Sequence, residues 1–166
     1  MAAKPERTAV RVLIVDDQAS FRAAARAVVE HTDGFEVAGE VATGEASVDA
    51  ARALAPDLVL MDLRLPGIDG LEASRRILGR GREEGAPGDG EGAARAAGPG
   101  EAASGAPGGR LPVVLLLSTA EAADYAPQAA ACGAAAFLPK AEFGPGSLAA
   151  AWAAAGAAEA PGPDAP

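Results

Sequence analysis

Short apolar runs alternate along this chain with longer stretches in which apolar residues recur three or four positions apart. The short runs predict strands at residues 10–15, 35–41, 58–61, 113–117 and 134–138. The longer stretches predict amphipathic helices at about 18–31, 43–54 and 70–78, in a segment reaching residue 132, and at 147–158. Strands that alternate with helices form parallel sheets, and right-handed crossovers place helices on both faces. The pattern therefore predicts a five-stranded, doubly wound α/β sheet of the flavodoxin-like (βα)5 type, with strand order 2-1-3-4-5.

Three local signals refine the helix ends. Thr43 is suited to cap the second helix, because its hydroxyl can accept a backbone N–H. Asp69, with Glu72 three residues later, resembles a capping box at the start of the third helix. Pro127 lies where the fourth helix is expected, so that helix either starts late, with Pro127 in its first turn, or is kinked there.

The composition changes abruptly at residues 79–110. Of these 32 residues, 11 are Gly, 8 Ala and 3 Pro, and no aromatic or branched aliphatic residue is present. Such a segment buries too little apolar surface to offset its ordering entropy, so we predict a disordered insert. The domain is expected to span residues 10–158 around this insert, with a flexible N-terminus (1–9) and a disordered tail (159–166).

Composition also bounds the function. No apolar run approaches the roughly 20 residues of a membrane span, and no signal peptide is evident, so we expect a cytoplasmic protein without membrane contact. Cys132 is the single cysteine, which excludes an internal disulfide. A net charge of −9 argues against direct nucleic-acid binding, because such binding depends on cationic neutralisation of phosphates.

Five polar residues follow the predicted strands. Asp16 and Asp17 come after the first strand, Asp62 after the third, Ser118 after the fourth and Lys140 just after the fifth. The carboxyl ends of parallel strands meet at one edge, which is where such sheets bind ligands. Three carboxylates at close quarters repel one another unless a cation lies among them, and Mg²⁺ suits such ligands best.

This set of groups fits phosphoryl-transfer chemistry. An aspartate can accept a phosphoryl group as an acyl phosphate, and the transfer mainly requires positioning and charge neutralisation. Mg²⁺, the Lys140 ammonium and the Ser118 hydroxyl would each neutralise or bind one phosphoryl oxygen.

The ordered motifs resemble those of bacterial response-regulator receiver domains. The segments that carry the resemblance are Leu-Ile-Val-Asp16-Asp17, Leu-Val-Leu-Met-Asp62-Leu-Arg-Leu-Pro-Gly-Ile-Asp-Gly, Leu-Ser118-Thr-Ala and Gly-Ala-Ala-Ala-Phe137-Leu-Pro-Lys140. The resemblance implies that Asp62 is the phosphoacceptor, with Lys140 and Ser118 assisting. It also implies that Asp16, Asp17, Asp62 and the backbone carbonyl of Arg64 bind Mg²⁺, and that Ser118 and Phe137 form a conformational switch.

The same resemblance implies the partners. They are a sensor histidine kinase or phosphotransfer protein and a downstream protein target, and we also consider a homodimer through the last two helices. No output domain is expected after the last helix, so a DNA-binding output is not predicted. The sequence departs from many receivers after Lys140, where Ala141 stands in place of a proline and Pro139 precedes the lysine.

Two other functions are alternatives to this interpretation. A small aspartate-nucleophile phosphohydrolase would be expected to place a second acid two residues after the nucleophile, whereas Arg64 stands there. A receiver-like interaction module that is never phosphorylated is the other alternative, and the intact acidic set argues against it. We therefore expect a signalling domain, not an enzyme with a diffusible substrate.

Overall fold

The computed structural model of the protein describes residues 9–79, 111–119 and 122–159. The predicted disorder of the N-terminus, the insert and the tail falls on residues 1–8, 80–110 and 160–166, which lie outside the described residues.

The described residues form one parallel sheet with strand order β2-β1-β3-β4-β5, as the sequence predicts. The strands are β1 (Val10–Val15), β2 (Phe35–Val41), β3 (Leu58–Asp62), β4 (Val113–Ser118) and β5 (Ala136–Pro139). The helices are α1 (Ala19–Glu30), α2 (Gly44–Leu54), α3 (Gly70–Ile77), α4 (Ala122–Cys132) and α5 (Pro145–Glu159), with a 3-10 turn at Lys140–Glu142. Among the described helices, none is long and apolar enough to cross a lipid bilayer.

The sheet is covered on both faces. Every residue of β3 and of β4 is buried, which explains why both segments read as continuous apolar runs. Alternate strand residues build two cores, one beneath α1 and α5 and the other beneath α2, α3 and α4. The first core contains most of the described aromatic rings, namely Phe21, Phe35, Phe143 and Trp152.

The predicted caps of α2 and α3 are present. The Thr43 hydroxyl accepts the Ala46 N–H at 3.1 Å, and Asp69 Oδ1 accepts the Glu72 N–H at 2.8 Å. The Glu72 carboxylate does not complete a capping box, because it pairs instead with the two arginines that come after it on α3, Arg75 and Arg76.

The second half departs from the prediction in three places. Of the two alternatives for α4, the late start is wrong, because α4 begins at Ala122 and Pro127 lies inside the helix. β5 starts two residues later than predicted and is followed by a 3-10 turn that the sequence pattern did not indicate. α5 begins at Pro145, and the Ser147 hydroxyl accepts the Gly144 N–H at 2.8 Å, which satisfies a backbone donor at this helix end.

The α3–β4 connection leaves and re-enters the fold at one edge of the sheet. β4 begins with a bond from the Val113 N–H to the Asp57 carbonyl, immediately before β3 starts. Because all strands are parallel, this is the amino edge, and the strand ends that carry the polar residues lie at the opposite, carboxyl edge.

Candidate functional site

Three aspartates converge where β1 and β3 end. Asp16 and Asp17 follow β1, and Asp62 is the last residue of β3, the neighbouring strand in the sheet. One carboxylate oxygen from each lies within 4.8 Å of the others. Asp16 and Asp62 are buried, with 1 % and 4 % of their surface exposed, whereas Asp17 faces solvent. The sequence-predicted cluster is therefore assembled, with one of its three members open to water.

Asp16 is held from its backbone and from one carboxylate oxygen. Its N–H donates to the Val41 carbonyl at 3.1 Å, and its Oδ1 accepts the Gln18 N–H at 2.8 Å. The Arg22 guanidinium donates to the Asp16 carbonyl at 2.7 Å. These bonds leave Oδ2 directed toward the site.

The loop after Asp62 folds back tightly on the strand end. The Arg64 N–H donates to Asp62 Oδ1 at 3.3 Å, and the Gly70 N–H donates to the Leu63 carbonyl at 3.0 Å. A Cβ at Gly70 would lie 2.1 Å from the Asp62 carbonyl oxygen. Only glycine fits this approach, so the start of α3 fixes the backbone of Asp62.

Glu45, in the first turn of α2, forms a hydrogen bond with the far side of the same loop. Its carboxylate accepts the Ile68 N–H at 3.0 Å. Hydrogen bonds from its own N–H and from the Ile68 N–H lower the pKa of Glu45. A charged α2 side chain thus holds the loop that joins β3 to α3.

Lys140 brings a positive charge to the aspartates. Its Nζ lies 2.5 Å from Asp16 Oδ2 and 3.4 Å from Asp62 Oδ1, and only 10 % of its side chain is exposed. Despite this approach, the geometry gives the buried Asp16 Oδ2 no well-directed hydrogen bond among the described residues. The two groups form a close, buried ion pair, and a cation at this cluster would share the Asp16 carboxylate with Lys140.

Burial and the neighbouring Asp16 carboxylate raise the pKa of Asp62 to about 6, although Lys140 and the Arg64 N–H act in the opposite direction. An aspartate with this pKa is mostly ionised at neutral pH. The site therefore holds a carboxylate whose charge is only partly compensated by the protein.

The donor set fits a hard divalent cation. It offers three carboxylates, one solvent-facing and one with a buried oxygen that lacks a hydrogen bond within the described part of the chain. Mg²⁺ takes a few carboxylates together with water molecules, so a half-open acidic cluster matches its preferences.

The two predicted switch residues lie near this edge, in the second half of the sheet. Ser118 ends β4, is 1 % exposed and stands opposite Pro139 of β5. Asp62 pairs with the preceding residue, Leu117, so Ser118 lies at the same edge of the sheet. Phe137 is half-buried and packs against the core beneath α2, α3 and α4.

Two residues near the site are not singled out by the sequence pattern. The pattern places Phe21 only in the buried stripe of α1, yet its ring lies under Lys140 Nζ, 4.5 Å from the ring centroid. Arg22 supports the Asp16 backbone from the same helix turn. Their position in the helix that comes after Asp17 was the available signal, because the start of that helix must lie at the carboxyl edge.

The matching family profile, a relative and two similar solved structures carry response-regulator names. The profile described as "Response regulator receiver domain" matches residues 12–86, which include the three aspartates and end before β4. The response regulator GacA of Pseudomonas viridiflava is 46 % identical over 69 residues, which are 42 % of this chain. The matched stretch spans about a third (32 %) of that relative's length.

Solved structures extend the likeness to the second half. A two-component response regulator of the LuxR family from Aurantimonas sp. SI85-9A1 superposes with a TM-score of 0.66 at 26 % identity, over 90 % of this chain and 86 % of that one. The receiver domain of the putative response regulator NarL from Mycobacterium tuberculosis gives 0.63 at 26 % identity, over 87 % and 97 %.

Proposed function

Because the chain contains a response regulator receiver domain, we propose that it relays a signal by accepting a phosphoryl group on Asp62. The donor would be a phosphohistidine on a sensor histidine kinase or phosphotransfer protein. The observation that carries the proposal is the convergence of Asp62 with Asp16, Asp17 and the Lys140 ammonium at one edge of the sheet.

Asp62 supplies the nucleophile. An oxygen of its carboxylate attacks phosphorus, the P–N bond to the donor histidine breaks, and the imidazole leaves with a proton. Asp62 must be ionised for this attack, and its pKa of about 6 permits that at neutral pH. The tight loop through Gly70 holds the strand end, so the carboxylate is positioned before the donor arrives.

Asp16, Asp17, Asp62 and the Arg64 carbonyl would hold Mg²⁺. When bound, the ion supplies positive charge to the carboxylates and to the transferred phosphoryl group. Asp16 contributes its buried Oδ2, and Asp17 contributes the solvent-facing ligand.

Lys140 and Ser118 would bind the remaining phosphoryl oxygens. Lys140 already lies 3.4 Å from Asp62 Oδ1, so a small movement of its ammonium would let it contact the product. Ser118 is a buried hydroxyl at the end of β4 and can donate to an oxygen of the acyl phosphate.

The Ser118 bond would also start the conformational switch. Movement of the loop after β4 changes the surroundings of Phe137, whose half-buried ring would repack on the core beneath α4. We therefore place the surface that senses phosphorylation on α4, β5 and α5. Ser118→Ala should still be phosphorylated, but NMR shift changes across residues 119–140 should shrink. A full wild-type pattern of shifts would argue against Ser118 as the coupling residue.

The phosphorylated domain would act on a downstream protein in the cytoplasm and would catalyse only its own phosphorylation and dephosphorylation. A homodimer through α4 and α5 stays a prediction. The matched stretch spans about a third of the GacA relative, and the activity of the remainder of that protein does not transfer to this chain.

The direct test is mass spectrometry after incubation with acetyl phosphate and Mg²⁺. Wild-type protein should gain one labile phosphoryl group, and Asp62→Asn should gain none. Asp49→Asn, which changes an exposed aspartate on α2, is the matched control and should label like wild type. Labelling of Asp62→Asn would refute the assignment of the acceptor, and an unlabelled wild type would favour the unphosphorylated interaction module.

A further inference from the structure

The Lys140 ammonium has a third neighbour besides the two aspartates. Its Nζ lies 4.5 Å from the centroid of the Phe21 ring, on the side of α1. We propose that Phe21 is a positioning residue for phosphoryl transfer: its ring face holds the Lys140 ammonium beside Asp16 and Asp62. The proposal rests on the function proposed above.

The first argument is burial. An ammonium carries three donors, and with 10 % of its side chain exposed Lys140 keeps little contact with water. Its Nζ lies beside two carboxylate oxygens, Asp16 Oδ2 and Asp62 Oδ1. The electron-rich face of an aromatic ring is a favourable neighbour for a desolvated cation, so Phe21 can compensate part of the hydration that Lys140 has lost.

The second argument is that Phe21 also holds the backbone that carries Lys140. Phe143 follows the 3-10 turn, and its ring packs on the Phe21 ring with centroids 6.2 Å apart and planes at 45°. The Phe143 N–H donates to the Lys140 carbonyl at 3.2 Å. One α1 side chain therefore contacts both the head of the lysine and the end of its turn.

This arrangement bears on the departure noted in the sequence. Ala141 follows Lys140, so no proline ring restrains the residue after the lysine. The contacts that Phe21 makes with Lys140 and with Phe143 supply a restraint from α1, outside the loop. Without the Phe21 ring, the flexible lysine side chain would gain freedom to move toward solvent and would less often lie beside Asp62.

The test uses the small number of lysines in this chain. It has two, Lys4 and Lys140, so ¹³C-lysine labelling gives two sets of ε-methylene signals. A methylene beside a ring face is shifted upfield by the ring current. In the intact wild-type protein we expect one shifted set from Lys140, and in Phe21→Leu we expect that set to move to the position of unperturbed lysine.

Phosphorylation by acetyl phosphate is the second readout. Phe21→Leu should label about 3- to 10-fold more slowly, a range consistent with the loss of one cation–ring contact. Phe21→Tyr keeps a ring and should retain both the shifted signal and the rate. Phe35→Leu removes a ring from the same core, where Phe35 packs edge-on against Trp152, and should change neither readout.

Several results would overturn the proposal. They are an unshifted Lys140 signal in wild type, wild-type labelling of Phe21→Leu, or labelling of Phe21→Tyr as slow as that of Phe21→Leu. If Phe21→Leu does not fold, Phe21→Met, whose unbranched and flexible side chain adapts better to the space left by the ring, replaces it in both measurements. A wild-type protein that is never labelled would instead refute the phosphoacceptor function, and the lysine signal would still report whether the ring contact exists.

Discussion

The two halves of this domain contribute to the site in different ways. The first half, from β1 to α3, supplies all three carboxylates and the backbone contacts that fix them. The second half, from β4 to α5, supplies one hydroxyl and one ammonium, and its helices consist largely of alanine. The family profile matches residues in the first half and ends before β4.

The difference shows where local sequence determines structure. In the first half, caps and loop contacts from Thr43, Asp69 and Glu45 are specific side chain–backbone bonds. In the second half, burial of every residue of β4 and the packing of Leu148 on α5 position the elements. Both halves are buried in the two cores, but the first half adds side chain–backbone bonds around the aspartates, whereas the second half is positioned mainly by apolar packing.

The largest effect should come from removing a proposed metal ligand of the first half, Asp17. Asp17→Ala takes away the solvent-facing carboxylate, and Mg²⁺ affinity should fall at least as much as the roughly 10- to 100-fold loss seen when outer-shell groups are removed. Calorimetric titration with Mg²⁺ measures this, with Asp49→Ala as the control on an exposed aspartate. An unchanged affinity would mean that Asp17 is not a metal ligand.

A second effect concerns the stability that the folded protein loses when the Asp62 carboxylate is ionised. Its pKa is raised from 3.8 to about 6, so the folded state binds the proton more tightly than the unfolded state. Wild-type stability should therefore fall as the pH rises from about 4 to about 6, and Asp62→Asn should escape this loss. At pH 7 without metal, Asp62→Asn should be more stable by about 1–3 kcal/mol.

Denaturant unfolding at pH 4 and pH 7 in the presence of a chelator measures this difference. The two proteins should have nearly equal free energies of unfolding at the lower pH. Equal free energies at pH 7 would show that the protein already compensates the Asp62 charge fully.

The third effect tests Lys140, the one charged side chain that the second half contributes to the site. Lys140→Met keeps much of the apolar stem but removes the ammonium beside Asp16 and Asp62. Phosphorylation by acetyl phosphate should slow by at least about tenfold, because a preorganised positive group is lost from the transition state. Lys4→Met, at the only other lysine, should label at the wild-type rate.

The smallest effect should come from the insert. Replacing residues 80–109 with a short Gly-Ser linker should leave the melting temperature and the phosphorylation rate unchanged. The connection joins the fold at the amino edge of the sheet, away from the aspartates, and its sequence offers no aromatic or branched aliphatic side chain for a core. A loss of either property would show that this segment serves the domain.

The sequence predicts the sheet, its strand order and the position of the acidic cluster. It does so because each apolar run marks a buried strand and the polar residue after the run marks the end of that strand. It predicts β5 less well, since Ala134 and Ala135 carry no signal that separates strand from loop. The Ala135 N–H already bonds to β4, at Val114, before the strand begins. The partnership of Phe21 with Lys140 joins residues far apart in sequence and had no local signature.

The position of the α3–β4 connection has a consequence for engineering this protein. The connection joins β4 at the amino edge of the sheet, whereas the aspartates and Lys140 lie at the carboxyl edge. The ends of this connection and the candidate site therefore lie at opposite edges of the sheet. A reporter protein inserted into the connection would be attached at the edge opposite the aspartates, so we expect labelling of Asp62 to be retained.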